Sequence, residues 1–450
     1  MVGISNIGAE AQKVNSVKAE KDRIEKEAFF CTTKELSRLG LEQIPTQFQS
    51  HKHLIYSSPA TLAFNSPGAE GFGVKRAGLA VPDSIMLIVA PGCCGRNTSL
   101  ISSMKEYNDR FYYLMMDETD IVTGRHLKKI PKAVEEICSV CPKKPSVVMI
   151  CITCVDALLG TDMDRVCKKA EERVEIPVRP CYMYALTREG RKPPMVHVRQ
   201  SLYSLLEPGK KKGNVVNLLG FFSPLVGDCE IYDLLHSAGV KTIHEISRCK
   251  DYMEYQTMSE ANFNLVLHHE ARFAAEDFHN RLQIPFIELR RLYQIDKIEN
   301  QYHALGNALG VAFCDEKYKK QAEDALEKFR QKCPDASFAI GECLNADPFE
   351  LSLALIRYGF SVPEIYGTIT VENFTYIRSL AKISPETKVF SNMEPTMIYY
   401  DPAKSGVNLA IGKDACYYHP DCPYVMWNGE EQPYGYAGVR RLFEQLLEVV

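Results

Sequence analysis

At 450 residues the chain is longer than one ordinary hydrophobic core supports, which predicts two or three domains. The apolar fraction of 46% and the charged fraction of 24% are those of a globular protein in water. A net charge of −4 lacks the basic excess of non-specific nucleic-acid binders, and no apolar run reaches the roughly 18 residues of a membrane span, so we expect neither kind of partner.

Residues 1–30 mix lysine and glutamate closely, which predicts a charged helical N-terminal extension. This segment has no apolar stretch of the signal-peptide type, and we therefore expect a cytoplasmic protein. Sixteen cysteines in a chain of this kind indicate mostly buried thiols with a few metal ligands, because a reducing compartment disfavours disulfides.

Short apolar runs then alternate with amphipathic segments. Residues 84–90, 111–115 and 146–153 read as buried strands, and residues 127–137 and 164–174 as surface helices. Such alternation predicts a parallel sheet with right-handed crossovers. We assign residues 31–212 to a first α/β domain.

Residues 207–213, EPGKKKG, have the composition of a linker, and two similar units follow. We assign 213–310 to a second α/β domain, in which Asp228 is the predicted N-cap of its first helix. Residues 311–450 form the third. The predicted fold class is α/β, with three Rossmann-like domains that each have a parallel sheet flanked by helices. The strands of the last two domains are predicted at 214–222, 264–267, 337–340 and 407–411, and their helices at 293–309, 317–331, 347–358 and 439–449.

Two cysteines follow predicted strands of the first domain directly. Cys94 comes after residues 84–90, and Cys154 after residues 146–153. Functional groups of parallel α/β sheets gather at the carboxyl edge, and thiolates are the usual ligands of iron–sulfur clusters. Both cysteines are therefore candidate cluster ligands, although buried structural thiols are an alternative reading.

Three further groups have metal-like spacing. Cys138, Cys141, Cys151 and Cys154 have the spacing of a zinc site, but a strand of eight residues would hold the two pairs roughly 25 Å apart. Cys416, His419 and Cys422 resemble a small metal loop. The acidic run 117–120 is either a metal site or, as we expect, the capped start of a helix.

Five stretches resemble the nitrogenase component-one superfamily, which includes nitrogenase subunits, protochlorophyllide reductases, a nickel-tetrapyrrole reductive cyclase of methanogens and cofactor-assembly scaffolds. The most specific element is Thr153-Cys154 followed by Gly160 and Asp162. The stretches are APGCCGRNTS (90–99), MDETDIVTGRHLKK (116–129), MICITCVDALLGTDMDRV (149–166), NADPFELSLALIRYGFSVPEIYG (345–367) and PYGYAGVRRLFEQLL (433–447).

The resemblance implies a redox role fed by a separate ATP-dependent, NifH-like iron protein. Cys94 and Cys154 match the second and third cluster cysteines of the nitrogenase pattern, whereas Ser57 and Ser58 stand where the first should lie. Two thiolates from each of two subunits, identical or paralogous, would hold one [4Fe–4S] cluster across their interface. Cys93 or Cys31 could add a ligand, but a structural role is expected for both.

The chain departs from nitrogenase at the site of the large metal cofactor. His268 stands in place of the cofactor cysteine, and Met426 or Trp427 in place of the histidine. Dinitrogen is therefore not the expected substrate. A small-molecule substrate could occupy the cavity instead, with His268 and His269 as catalytic proton carriers and with Arg272 and Trp427 as substrate-binding residues.

The sequence leaves two functions open. The first is a nitrogenase-like reductase, and the second is a non-catalytic scaffold for assembly of a metal cofactor. A nicotinamide dehydrogenase is disfavoured, because no G-x-G-x-x-G follows a predicted strand.

Overall fold

The described part of the chain forms three β-sheets, each flanked by helices. The computed structural model describes residues 27–49, 73–92, 105–183 and 192–450. Within these ranges the strands, numbered in chain order, are β1 (Phe30–Thr32), β2 (Ile85–Ala90), β3 (Phe111–Met115), β4 (Val148–Ile152), β5 (Val178–Tyr182), β6 (Val215–Leu219), β7 (Thr242–His244), β8 (Phe263–Val266), β9 (Phe286–Glu288), β10 (Ser337–Ile340), β11 (Ser361–Tyr366), β12 (Lys388–Phe390), β13 (Leu409–Ile411) and β14 (Tyr424–Val425).

The helices lie between these strands and cover the sheet faces. In the same ranges they are α1 (Thr33–Leu39), α2 (Val74–Gly78), α3 (Glu118–Thr123), α4 (His126–Val140), α5 (Cys154–Leu159), α6 (Met163–Val174), α7 (Pro194–Tyr203), α8 (Glu230–Ser237), α9 (Tyr252–Gln256), α10 (Arg272–Leu282), α11 (Ile295–Leu309), α12 (Glu316–Lys332), α13 (Pro348–Arg357), α14 (Phe374–Ile383), α15 (Lys413–Tyr418) and α16 (Gly435–Val449).

The three sheets share one winding pattern. Their strand orders are β3-β2-β4-β5, β7-β6-β8-β9 and β1-β12-β11-β10-β13-β14, and all neighbours are parallel except β1 and β12. Among the parallel strands of each sheet, the first along the chain are added outward from the centre on one side. The chain then returns to the centre, and the later strands are added outward on the other side. The direction reverses between β2 and β4, between β6 and β8, and between β10 and β13, which we name the first, second and third switch points. Ligands of open α/β sheets bind beyond the carboxyl ends of the strands at such points.

The central strands are continuous apolar runs because helices cover both of their faces. Every residue of β2, β4, β6 and β8 is buried. The helix α4 buries Ile130, Val134 and Ile137 at the predicted helical spacing. The α/β fold class with three parallel sheets is therefore confirmed.

The sheets are not independent, because their cores merge. Met86 of β2 and Leu219 of β6 belong to one apolar cluster, which joins the first sheet to the second. Leu218 of β6, Phe338 of β10 and Phe443 of α16 belong to another, which joins the second sheet to the third. No described helix combines the length and the apolar character needed to cross a bilayer.

Two local predictions differ from the structure. The N-cap of α8 is Cys229, whereas the Asp228 carboxylate pairs with Arg441 at 2.6 Å and with Arg440, far along the chain. Phe30, predicted to end a helical extension, begins a strand, and β1 pairs with β12 of the third sheet. Residues 1–26 of that predicted extension lie outside the described residues.

Two of the predicted domain limits fall between sheets, and the limit at residue 31 does not. The strands of the first sheet begin at Ile85, well after the limit at residue 31, and β1 and α1 pack on the third sheet instead. The limits at 212/213 and 310/311 fall in the connections between sheets. They remain predictions about independent domains.

Candidate functional site

The first switch point lies beside Cys154. The strands β2 and β4 are paired with Val89 opposite Ile152, so their carboxyl ends are neighbours as the sequence predicted. Cys154 is half-buried and is the first residue of α5. Gly92 is the last described residue after β2, and Cys93, Cys94, Ser57 and Ser58 lie outside the described residues.

A buried polar network holds α5 in place. His126, the first residue of α4, points Nε2 at Asp156 Oδ1 over 2.9 Å, and its Nδ1 lies 3.0 Å from the Asp120 carbonyl oxygen. The Thr161 hydroxyl donates to the same carboxylate at 3.0 Å. Lys129 and Arg125 hold the pKa of the Asp120 carboxyl far below its usual range. Asp117 caps α3, which confirms the capped-helix reading of residues 117–120.

The described residues of this switch point fit an iron–sulfur group. Thr153 is 2% exposed, and its hydroxyl finds no hydrogen-bond partner in the described part of the chain. A buried hydroxyl is stabilised when an acceptor is supplied, and the sulfur atoms of such a cluster are acceptors. Cys154 would supply a thiolate next to this hydroxyl.

The other candidate cysteines have different surroundings. Cys31 lies in β1 of the third sheet, and burial raises the pKa of its thiol to about 11, which disfavours a thiolate. Cys151 is buried opposite Cys181 of β5. Cys141 Sγ lies 3.1 Å from the Tyr112 hydroxyl.

The predicted loop ligands also have other partners. Cys416 and Cys422 donate to the carbonyl oxygens of Val425 and Val407, and His419 is buried against the Glu364 carboxylate. Among the described residues no three His, Cys, Asp or Glu side chains converge as a metal site. The possible metal loop at residues 416–422 is therefore not formed in the structure.

The second switch point brings Gly220 against His268. A Cβ atom on Gly220 would lie 2.8 Å from the His268 backbone nitrogen, and Gly220 has a φ of +145°, so only glycine lets the two strand ends approach this closely. The His268 ring packs on His269 at 4.4 Å between centroids and meets the edge of Phe221 at 5.7 Å. Both histidines are thus at the carboxyl edge, as predicted.

A buried arginine supports this edge. Arg199 of α7 donates to the Gly220 carbonyl oxygen at 2.6 Å and to Glu270 at 2.7 Å. The Glu270 backbone N–H donates to His268 Nδ1 at 3.4 Å. Burial, together with the charges of His269, Arg199 and Arg291, holds the pKa of His268 well below its usual range. His268 is therefore an uncharged imidazole at neutral pH, with Nδ1 as acceptor.

Arg272 and Trp427 are engaged elsewhere. Arg272 donates Nε and Nη2 to the two oxygens of Glu288, the last residue of β9, at 2.6 and 2.8 Å. Trp427 is buried in the core between the second and third sheets, and its Nε1 donates to the Tyr293 hydroxyl at 2.6 Å. The guanidinium predicted to bind substrate is thus occupied by a bidentate pair within the chain.

The third switch point carries acids that the sequence reading missed. Glu342 follows β10 and Asp414 follows β13. The Asp414 carboxylate accepts the backbone N–H groups of Glu342 and Cys343 at 2.7 and 2.9 Å, and Glu342 accepts from Thr368 N–H at 2.9 Å. Burial first, and then repulsion by Asp414, raise the pKa of Glu342 to about 7. The glycines that precede both residues, Gly341 and Gly412, were the available signal.

Several known proteins are similar to this chain in sequence or structure. The family model described as nitrogenase component 1 type oxidoreductase matches residues 70–450. The nitrogenase iron-molybdenum cofactor biosynthesis protein NifE of Clostridium pasteurianum is 26% identical over 257 residues, which are 55% of this chain and 54% of that protein. NifE of Sinorhizobium fredii (strain NBRC 101917 / NGR234) is 24% identical over 418 residues, 87% of this chain and 82% of that one.

Among the first relatives the chain spans about half of their length, with shares of 54%, 58% and 36%. A solved structure titled "Nitrogenase Cp1 at pH 6.5" superimposes with a TM-score of 0.68 at 19% identity, and covers 84% of this chain and 91% of that one. At this identity the likeness shows the fold. The family match covers most of the chain, and the protein therefore belongs to the nitrogenase component 1 type oxidoreductase family.

Proposed function

We propose that the chain is a subunit of a nitrogenase-like reductase that receives electrons through an iron–sulfur cluster and reduces a bound small molecule other than dinitrogen. The observation that carries the proposal is the pairing of β2 with β4, because it brings the chain leading to Cys94 beside Cys154. The orphaned hydroxyl of Thr153 at the same edge supports it.

In this proposal Cys94 and Cys154 hold the cluster. Two thiolates cannot complete a four-iron cluster, so a second subunit, identical or paralogous, would supply the other two. The cluster would accept single electrons from an ATP-dependent iron protein and pass them on. The half-buried position of Cys154 suits a group shared between two surfaces.

The substrate would lie at the second switch point. His268 lies half-buried there, beyond the end of β8, and its imidazole would be the proton carrier next to the substrate. His269 is stacked against it and could relay that proton. Arg272 could bind substrate only after breaking its pair with Glu288. Trp427 is buried and hydrogen-bonded to Tyr293, so it would support the substrate site from the core and would not line it directly.

Iron content tests the cluster. Protein purified without oxygen should contain about two iron atoms per chain and the broad visible absorbance of a four-iron cluster. Replacing Cys154 or Cys94 with serine should remove both signals, because two ligands of the dimer disappear. Cys138→Ser, at the far end of α4, is the matched control and should keep them. Wild-type protein that stays free of iron after reconstitution would disprove the proposal.

A second candidate function rests on the relatives. The two NifE proteins described above are named for iron-molybdenum cofactor biosynthesis, which favours a scaffold that carries a metal cofactor without turnover. The two functions differ in what happens with an iron protein, ATP and reductant. A reductase consumes reductant continuously with its substrate, whereas a scaffold stops after one loading and releases its cargo to an acceptor protein.

A further inference from the structure

Arg291 is a half-buried arginine beside the second switch point. Its guanidinium lies over the Phe221 ring, 4.4 Å from the centroid, and Nη2 donates to the Gln432 side-chain oxygen at 2.6 Å. The Nε atom is buried and finds no hydrogen-bond partner in the described ranges. One donor of this guanidinium is therefore left for an acceptor that those ranges do not supply.

The same guanidinium has no counter-charge. Within the described part of the chain no carboxylate lies within ion-pair distance of Arg291, whereas Arg199 has Glu270 and Arg272 has Glu288. Burial lowers the pKa of Arg291, and only Tyr293 and Tyr434 oppose that effect. A buried donor without an acceptor, on a cation without a counter-charge, destabilises a fold, so the Nε of Arg291 indicates that a ligand completes it.

Arg291 also lies on the same side of the second sheet as His268, beyond the carboxyl ends of the strands. The Arg291 guanidinium lies over the Phe221 ring, and the same ring forms a T-shaped contact with the His268 ring. Both side chains therefore contact the same aromatic ring. His268, Phe221 and Arg291 thus form one row beyond the ends of β6, β8 and β9.

We infer that the second switch point binds a small molecule bearing an oxyanion, and that this group accepts a hydrogen bond from Arg291 Nε and neutralises its guanidinium. The inference rests on the proposed function, for which it names the substrate class: an anionic compound, with its oxyanion on Arg291 and its reducible part toward His268. A carboxylate fits the planar guanidinium best, and a phosphate supplies the same charge.

Calorimetric titration of the oxygen-free protein with succinate and, separately, with inorganic phosphate tests the inference. Arg291→Met should weaken binding of the better anion at least tenfold. Arg290→Gln is the matched control, because Arg290 is the exposed neighbour and its loss changes the net charge equally; it should change binding less than twofold. The anion that binds with the higher affinity shows whether the site prefers a carboxylate or a phosphate.

Thermal unfolding gives a second readout. Because Arg291 Nε is buried and finds no hydrogen-bond partner in the described ranges, Arg291→Met should melt at a higher temperature than the wild type without ligand, and should lose the stabilisation by anion. A lower melting temperature without ligand would show a structural arginine and overturn the inference, as would the absence of binding by either anion. Iron measured in the same samples separates the two proposals: a cluster without anion binding refutes only the inference, and anion binding without iron refutes only the cluster.

Discussion

Glu350 is a fully buried carboxyl group where the second and third sheets meet. It accepts the backbone N–H of Tyr293 at 2.9 Å, and the backbone and side-chain N–H groups of Gln294 at 3.3 and 3.0 Å. Burial outweighs these donors and raises the pKa of Glu350 from 4.5 to about 7. A carboxyl group whose pKa is higher in the folded state stabilises the fold below its unfolded pKa, and this contribution is lost as the pH rises through the folded pKa.

Replacement of Glu350 by glutamine should therefore flatten the dependence of stability on pH. The wild type should lose up to about 3 kcal/mol more than Glu350→Gln between pH 4.5 and pH 7, since a pKa difference becomes a free-energy difference of that order. Urea unfolding at several pH values measures this difference. Glu386→Gln, at an exposed position, should keep the wild-type slope. Parallel slopes for the wild type and Glu350→Gln would refute the prediction.

Some site residues could be read from the sequence and others could not. Cys154 and His268 each follow an apolar run directly, so their place at a strand end was visible. Arg291 follows β9, a strand of three residues with no clear apolar run. Glu342 and Asp414 are separated by 72 positions. Their meeting depends on which strands become neighbours, and the spacing of residues does not reveal that.

At the scale of elements, the short helix α5 depends on tertiary contacts for its position. It has six residues, too few for a stable isolated helix, and Thr153 gives it no side-chain cap. The bond between His126 and Asp156 ties it to α4, and both side chains are buried, at 1% and 0% exposure. This tie fixes the first turn of α5, which begins with Cys154.

Loss of the hydrogen bond between His126 and Asp156 should make the position of α5 less well defined. His126→Ala leaves the buried Asp156 carboxylate without one of its two partners, at a cost of about 3 kcal/mol. The variant should unfold at lower urea concentration, and its reconstituted cluster should lose iron faster to a chelator. His303→Ala, at an exposed helix position, should match the wild type in both measurements. If the variant is destabilised but loses iron at the wild-type rate, His126 stabilises the fold and does not help to hold the cluster.

Strands that lie within a continuous apolar run were predictable, and short strands of mixed residues were not. The strands β3 and β10 have the predicted limits, and β4 is three residues shorter than predicted, because Ser146, Val147 and Thr153 lie outside the strand. The strand β1 escaped notice since a three-residue strand has no measurable period. Asp228 has the side chain of an N-cap, but the nearby guanidinium groups of Arg440 and Arg441 bind it instead.

At the scale of the molecule, Glu230 connects three separate parts of the chain. This buried carboxylate lies at the start of α8 and accepts the Tyr302 hydroxyl of α11 at 2.7 Å. It also accepts the N–H groups of Tyr436 and Ala437 at the start of α16, at 2.6 and 3.0 Å. An acceptor with negative charge suits a helix N-terminus, so Glu230 anchors the last helix to the second sheet.

Glu230→Gln should weaken that anchor. A glutamine keeps the size of the side chain but loses one acceptor oxygen and the charge, which should cost about 2 kcal/mol. Guanidinium unfolding followed by Trp427 fluorescence should shift to lower denaturant. Glu448→Gln, at an exposed position on the same helix, should leave the curve in place. If both variants unfold together with the wild type, Glu230 does not hold α16.

The pairing of β1 with β12 delays the closure of the third sheet during synthesis. Phe30 lies opposite Phe390, a separation of 390 − 30 = 360 residues along the chain. At ribosomal rates of about 5 to 20 residues per second, β1 is made roughly 20 to 70 seconds before its partner. During synthesis β1 must therefore stay available, and the third sheet closes only after β12 has been made.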